Sequence, residues 1–293
     1  RHAPRTEADP ASCGSTGMCD GEARTARGAS SPCDDRYIMY RPGMPATGSF
    51  LSDPGFAPIA RDNLAGRVYE ELRTALMEGR LWPGQRLKIR ELAAALHVSE
   101  TPVREAVMQL VRERGLEMQA NRAITVAHLS LAQYEELRRI RLELEGLAAA
   151  EAAPRSTRAV VEELEALHAD LLAAQAAEDW PDAVRANWRF HHRVYRTAAM
   201  PELLGIIETL WLRNGPLLNY QYPHAPPTYP GRHRHLDVID AMRARDPAAV
   251  RTAIRNDTVE GGATLLRLLT DIEAGRVVIG QPHFTAPPPF APS

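Results

Sequence analysis

Leu87-Lys88-Ile89-Arg90-Glu91-Leu92-Ala93-Ala94-Ala95-Leu96-His97-Val98-Ser99-Glu100-Thr101-Pro102-Val103-Arg104-Glu105-Ala106 decides the fold. It reads as a short helix around Glu91 to Leu96, a tight turn and a second helix that starts with polar residues and an arginine. A protein presents side chains to the major groove of DNA in this way. Upstream, Leu64, Val68, Leu72, Ala75 and Leu76 recur at helical spacing from Asn63 and stop at Gly79, which suits a helix C-terminus. Arg80 to Gln85 makes a turn. Downstream, Gly115 ends the second motif helix, and Leu116-Glu117-Met118 and Ile124-Thr125-Val126 read as short strands around a tip at residues 119–123. Three helices and a small β-hairpin wing make a winged helix-turn-helix.

From Ser130 onward the pattern is helical throughout. Ser130 with Gln133 has capping-box spacing, and the helix it opens runs through Tyr134, Leu137, Ile140, Leu144 and Leu147 to about Ala153. Further helices are expected over 157–177, 182–198, 201–221, 231–244 and 247–273, giving six. Asp246-Pro247 is a helix start, with Asp as N-cap and Pro at the first helical position. The expected class is therefore mainly α: a winged helix-turn-helix at 58–127, then an all-α bundle at 128–276. Residues 1–57, rich in Gly, Pro, Ser and Ala, and the Pro-rich residues 277–293 are expected to be disordered tails.

Composition narrows the class. The chain of 293 residues carries a net charge of −2, with 11 basic against 9 acidic residues over 61–127 and 18 against 21 over 128–293. This balance permits DNA binding without arguing for it, so the positions of the arginines matter more than their number. No run of apolar residues is long enough to span a bilayer, no signal-peptide pattern precedes the first helix, and a cytoplasmic location is expected. Cys13, Cys19 and Cys33 match no zinc spacing and are expected to be free thiols.

In a winged helix the N-terminal side chains of the second motif helix face base edges. Here these are Ser99, Glu100, Thr101 and Arg104. Arg104 can fork onto a guanine or a phosphate, and Ser99 or Thr101 can cap the helix or bind phosphate. Glu100 would accept from a cytosine amino group or orient an arginine. Arg90 is expected at the DNA backbone, and Asn121 with Arg122 at the wing tip in the minor groove. In the bundle, Asn187 and His191 stand four apart on one helix face, and His235 and Asp257 lie on helices separated by Asp246-Pro247. They can converge on a metal or cofactor; ordinary surface or core-satisfied histidines are the plainer reading.

The run Gly79-Arg80-Leu81-Trp82-Pro83-Gly84-Gln85-Arg86-Leu87, with Glu91-Leu92-Ala93, Val98-Ser99 and Thr101-Pro102-Val103-Arg104-Glu105-Ala106, resembles the DNA-binding domain of GntR-family transcription regulators. It departs from the family pattern at Glu100, where a basic residue is frequent, and at Ala123, where a wing glycine stands. The helical part resembles the FCD domain of the FadR subfamily through Arg141-Leu142-Glu143-Leu144-Glu145 and Phe190-His191. The resemblance implies a ligand-responsive, homodimeric regulator, a repressor by preference, that binds an inverted-repeat operator in double-stranded DNA and senses a small carboxylate. It also implies a divalent metal (Zn, Ni or Mn) at Asn187, His191, His235 and Asp257, with Asn187 and Asp257 replacing the usual Asp and final His. His192 and His233 are adjacent alternatives. Arg141, Arg189 and Arg213 are the candidate forks for the effector, with an Arg141–Glu145 surface salt bridge as the plainer role of the first. The loop Tyr220 to Pro230 either covers the pocket or merely connects. The alternatives are a metal-dependent enzyme using His191, His235 and Asp257, for which neither a general base nor a nucleophile motif is evident, and a protein-docking winged helix.

Overall fold

The computed structural model describes residues 63–120 and 122–280. The expectations for residues 1–57, including the three cysteines, for Asn121 and for residues 281–293 lie outside them.

Helix α1 (Leu64–Met77) is opened by Asn63, whose side chain accepts from the Gly66 N–H, and buries Val68, Leu72, Ala75, Leu76 and Met77 on one face. It ends before Gly79, which has φ +68°, a conformation glycine adopts without steric cost. Helix α2 (Ile89–Ala95) and helix α3 (Glu100–Arg112) flank a turn in which His97 takes φ 53° and the Val98 N–H closes on the Ala93 carbonyl. α3 buries Val103, Ala106, Val107 and Leu110 against α1, and its opposite face is left to solvent.

Strands β2 (Leu116–Met118) and β3 (Ile124–Val126) form the expected hairpin, and a third strand joins them. Strand β1 (Arg86–Leu87) pairs antiparallel with β3, Leu87 opposite Ile124, giving the order β1-β3-β2. Two residues carry no alternation, so β1 gave no period to read.

Helices α4 (Leu131–Ala152), α5 (Arg158–Ala176), α6 (Trp180–Thr197), α7 (Pro201–Gln221) and α8 (Arg234–Ala244) follow, with the Ser130/Gln133 capping box formed in full. The helix expected over 247–273 is instead two, α9 (Pro247–Asn256) and α10 (Ala263–Glu273), which makes seven among the described residues rather than six. A π-turn at Asp257–Gly261 separates them. Other helices satisfy its displaced carbonyls: Arg138 donates to Val259 O at 2.8 Å and Gln221 to Gly261 O at 3.1 Å. The break turns Asp257 and Thr258 inward.

One apolar core runs from α1, α3 and the sheet into the helical bundle. α7 packs tightly on the end of α1: a Cβ on Gly215 would collide with the carbonyl oxygens of Leu76 and Met77. Asn219, a turn later, donates to Gly79 O at 2.8 Å and Leu81 O at 3.2 Å. No described helix is long and apolar enough to cross a membrane.

Candidate functional site

The outer face of α2–α3 carries a row of polar side chains that the rest of the fold leaves alone. Arg90, Ser99, Glu100, Thr101 and Arg104 are all exposed. Ser99 occupies the N-cap of α3 but makes no side-chain capping bond, so its hydroxyl is available to a ligand. Glu100 Oε2 and Arg104 Nη2 stand 3.7 Å apart, one turn along the helix, and both are more than half exposed. Arg122 is exposed at the wing tip with φ 61°, and the hairpin is closed there by Gln119 N–H on Ala123 O at 2.8 Å. Among the described residues of this wing the left-handed one is thus Arg122. At the far end of α3, the Tyr69 hydroxyl donates to Glu113, tying α1 to α3; burial and that carboxylate push the phenol up to about 12.

The second constellation is inside the bundle. A cavity with about 50 Å³ of free volume is lined by Arg141 of α4, Asn187 and His191 of α6, Trp211 and Asn214 of α7, and Asp257 and Thr258 of the π-turn. His191 Nε2 donates to Asp257 Oδ2 at 3.1 Å, and His235 Nε2 lies 3.9 Å from the same oxygen. The Tyr229 hydroxyl donates to Asp257 Oδ1 at 3.0 Å, so the loop before α8 does contribute to the site, with Pro227 and Tyr229 in its lining. Burial alone would raise the Asp257 carboxyl. The field of His235, the hydrogen bond from His191 and the charges of His191 and His233 outweigh it and hold the group well below the usual carboxylate range. Burial pushes His233 down to about 4, and His168 and His235 below the ordinary imidazole value.

Next to this cluster Arg141 Nε and Nη2 reach both oxygens of Glu145 at 2.7 and 3.3 Å, Nη1 donates to Asn214 Oδ1 at 2.6 Å, and the guanidinium stacks over Trp211. The Arg141–Glu145 pair is therefore real but buried, not a surface bridge. Glu145 also accepts from Tyr195 Oη at 2.7 Å and Trp211 Nε1 at 2.8 Å, and Tyr195 Oη is 3.3 Å from His191 Nδ1. One chain of contacts connects Arg141 to Asp257. Arg189 and Arg213 do not line the cavity. Arg189 is 56 % exposed and donates to Glu78 at 3.2 Å; Arg213, half buried, is pushed below its ordinary value by burial and by Arg114. Sequence reasoning missed Tyr195, one helical turn beyond His191, and His168 on α5, whose lone position in the sequence carried no signal.

A metal fits the donor set. His191, His235 and Asp257 offer ligand atoms within 4.8 Å of one another, all buried, and neither ring nitrogen of His235 has a hydrogen-bond partner. Two imidazoles and a carboxylate suit first-row divalent ions. Asn187 shares the cavity as a neutral oxygen donor. The described residues hold one further such group, His168, His233 and His235.

Comparison with known proteins agrees with both halves. Residues 64–126 match the bacterial regulatory proteins of the gntR family, and residues 136–258 match the FCD domain. The chain is 35 % identical to the HTH-type transcriptional regulator McbR of Escherichia coli over 201 residues, 68 % of this chain and 90 % of McbR. It is 28 % identical to a probable D-xylose utilization operon transcriptional repressor of Paenarthrobacter nicotinovorans over 67 % of this chain and 86 % of that one. The solved structure of E. coli McbR/YncC superposes with TM-score 0.64 at 32 % identity, covering 71 % of this chain and 99 % of the other. The chain belongs to the GntR family of bacterial transcription regulators, with a GntR-type winged helix followed by an FCD domain, and is not an enzyme.

Proposed function

We propose that this regulator is a homodimeric repressor whose two α3 helices read an inverted repeat, and that a small carboxylate bound in the FCD cavity changes its affinity for that operator. The observation that carries the reading is the solvent-facing row Ser99, Glu100, Thr101 and Arg104 on a helix whose other face is locked into the core. Arg104 forks onto a guanine or a phosphate, Glu100 orients it or accepts from a cytosine amino group, and Ser99 and Thr101 hold phosphates. Arg90 meets the backbone, and Asn121 and Arg122 enter the adjoining minor groove. Repression accords with the printed names of relatives such as the D-xylose operon repressor.

In the helical domain, Asn187, His191, His235 and Asp257 hold the ion. Bound there, a Zn, Ni or Mn ion would supply positive charge to an anionic ligand. Arg141, fixed by Glu145 and Asn214, presents its remaining N–H groups to the same carboxylate. The free volume of about 50 Å³ admits little more than an ion and a water, so effector entry requires the Tyr229 loop or α6 to move. α6 is suited to transmit that motion. Asn187 and His191 face the cavity, while Arg189 holds Glu78 and His192 holds Glu208, which in turn pairs with Arg73 of α1 at 2.5 Å. An effector that binds one setting of α6 more tightly shifts the population of winged-helix arrangements.

The test is a titration of the full chain against the duplex enriched from a random-sequence pool, repeated over a range of salt. Affinity falls steeply as salt rises. Arg104→Ala weakens the selected duplex by about 1–3 kcal/mol and relaxes the preference at one base pair. Wild-type affinity in Arg104→Ala would remove α3 from the groove.

A further inference from the structure

Three buried imidazole nitrogens lack a hydrogen-bond partner among the described residues: Nδ1 of His168 and both ring nitrogens of His235. His168 is 6 % exposed and His235 not at all, so bulk water does not satisfy them. Buried polar groups are rarely left so, because the loss of hydration goes uncompensated. His191 is different. Its Nε2 donates to Asp257 and its Nδ1 lies 3.3 Å from the Tyr195 hydroxyl. The unmet demand therefore centres on His235 and extends to His168 of α5.

On that side three rings gather. His168 comes from α5, His233 from the N-cap of α8 and His235 from its first turn, with centroids 4.9, 5.4 and 4.5 Å apart. One nitrogen from each lies within 4.8 Å of the others. Phe190 stacks on His235 at 3.7 Å and 5°, and Tyr229 packs on His233 at 4.5 Å, so aromatic neighbours hold two of the ring planes.

We propose that His168, His233 and His235 form a second divalent-metal site, built of imidazoles alone, which adjoins the His191–Asp257 pair and shares His235 with it. Three nitrogen donors in a buried setting select Zn(II), Ni(II) or Cu(II) over Mg(II) and Ca(II). His233 Nδ1 accepts the His235 N–H at 3.1 Å, so an ion taken by that atom replaces one helix-cap hydrogen bond. The site goes beyond the ion of the proposed function: it shares His235 with that set, so that the one ring nitrogen lone pair serves one ion at a time, but His168 and His233 lie outside it.

Zn(II) binding to the full-length protein, read by competition with a chromophoric chelator, separates the two. In a His191→Asn/Asp257→Asn background, which disables the first set, Zn(II) is still retained. Adding His168→Asn to that background weakens it at least about tenfold, and His235→Asn does the same. Loss of all binding in the double variant, or a His168→Asn addition that changes nothing, overturns the second site. Wild type binding Zn(II) no more tightly than the double variant would instead remove the ion from the proposed function and leave this site standing. If far-UV circular dichroism shows the double variant unfolded, His168→Asn is added to His191→Asn instead, and Zn(II) affinity unchanged by that addition overturns the second site.

Discussion

Glu100–Arg104 and Arg141–Glu145 are the same local device, an acid and an arginine one helical turn apart, in two opposite surroundings. On α3 the pair is 52 % and 64 % exposed and its charges stand 3.7 Å apart; on α4 it is 0 % and 8 % exposed and closes to 2.7 Å. The exposed pair is worth a few tenths of a kcal/mol, and both of its members remain open to solvent. The buried pair is fixed on every side, with Glu145 held also by Tyr195 and Trp211 and Arg141 by Asn214. On the exposed helix face the charges stay loosely partnered, whereas beside the buried cavity they are held so that they cannot relax.

The strongest way to break this contrast is to remove one member of each pair and measure chemical denaturation. Glu145→Gln leaves the Arg141 guanidinium buried without its counter-ion and costs about 3–5 kcal/mol. Arg104→Ala stays within about 0.5 kcal/mol of wild type in the same experiment, its effect appearing only with DNA. Equal losses in the two variants would mean that burial does not divide them.

A smaller effect is expected at Gly215, where α7 meets the end of α1. Ala there drives a methyl group into the Leu76 and Met77 carbonyls, and backbone oxygens cannot move aside as a flexible side chain would. The expected cost is about 1–3 kcal/mol. An unchanged denaturation midpoint would show that the two helices slide apart freely, and the route from α6 and α7 to the winged helix would lose its rigid seat.

The same contrast explains what could be read from the sequence. The exposed polar row was legible because all its members on α2 and α3 lie within fifteen residues and their exposure follows from which neighbours are apolar. Caps were legible for the same reason: Ser130 and Asp246 each bond within three residues of themselves. The cavity draws on α4, α6, α7 and a π-turn; spacing allowed Asn187, His191, His235 and Asp257 to converge, but only the family resemblance set that reading above ordinary core or surface histidines. His168 and Tyr195 each looked like any other buried ring. Asp257–Gly261 is weak in helix formers and runs into Gly262, a signal of the break, but the π-turn itself is not local: its displaced carbonyls are answered by Arg138 and Gln221, more than a hundred and about forty residues away. Arg189 and Arg213 were sound chemical choices, but the side of the helix that faces the cavity depends on packing that spacing does not encode.

The weakest expected effect lies at Glu208, between the two extremes, and its dependence on pH identifies it. The carboxylate is 14 % exposed and is held by Arg73 of α1 at 2.5 Å and His192 of α6 at 2.7 Å. Burial alone would raise its pKa, but the hydrogen bonds from His192 and Arg73 and the charge of Arg73 bring it below the ordinary carboxylate value. A depressed acid stabilises the fold above its unfolded pKa, and that contribution disappears as pH falls through the folded one. Glu208→Gln should therefore melt below wild type at neutral pH, by the equivalent of no more than about 1 kcal/mol because solvent still screens the cluster. The gap should close on acidification below the ordinary carboxylate range. A gap that stays constant or widens in acid would show that Glu208 acts there through shape and not charge, and the link from α6 to α1 would then rest on Arg189 and Glu78 alone.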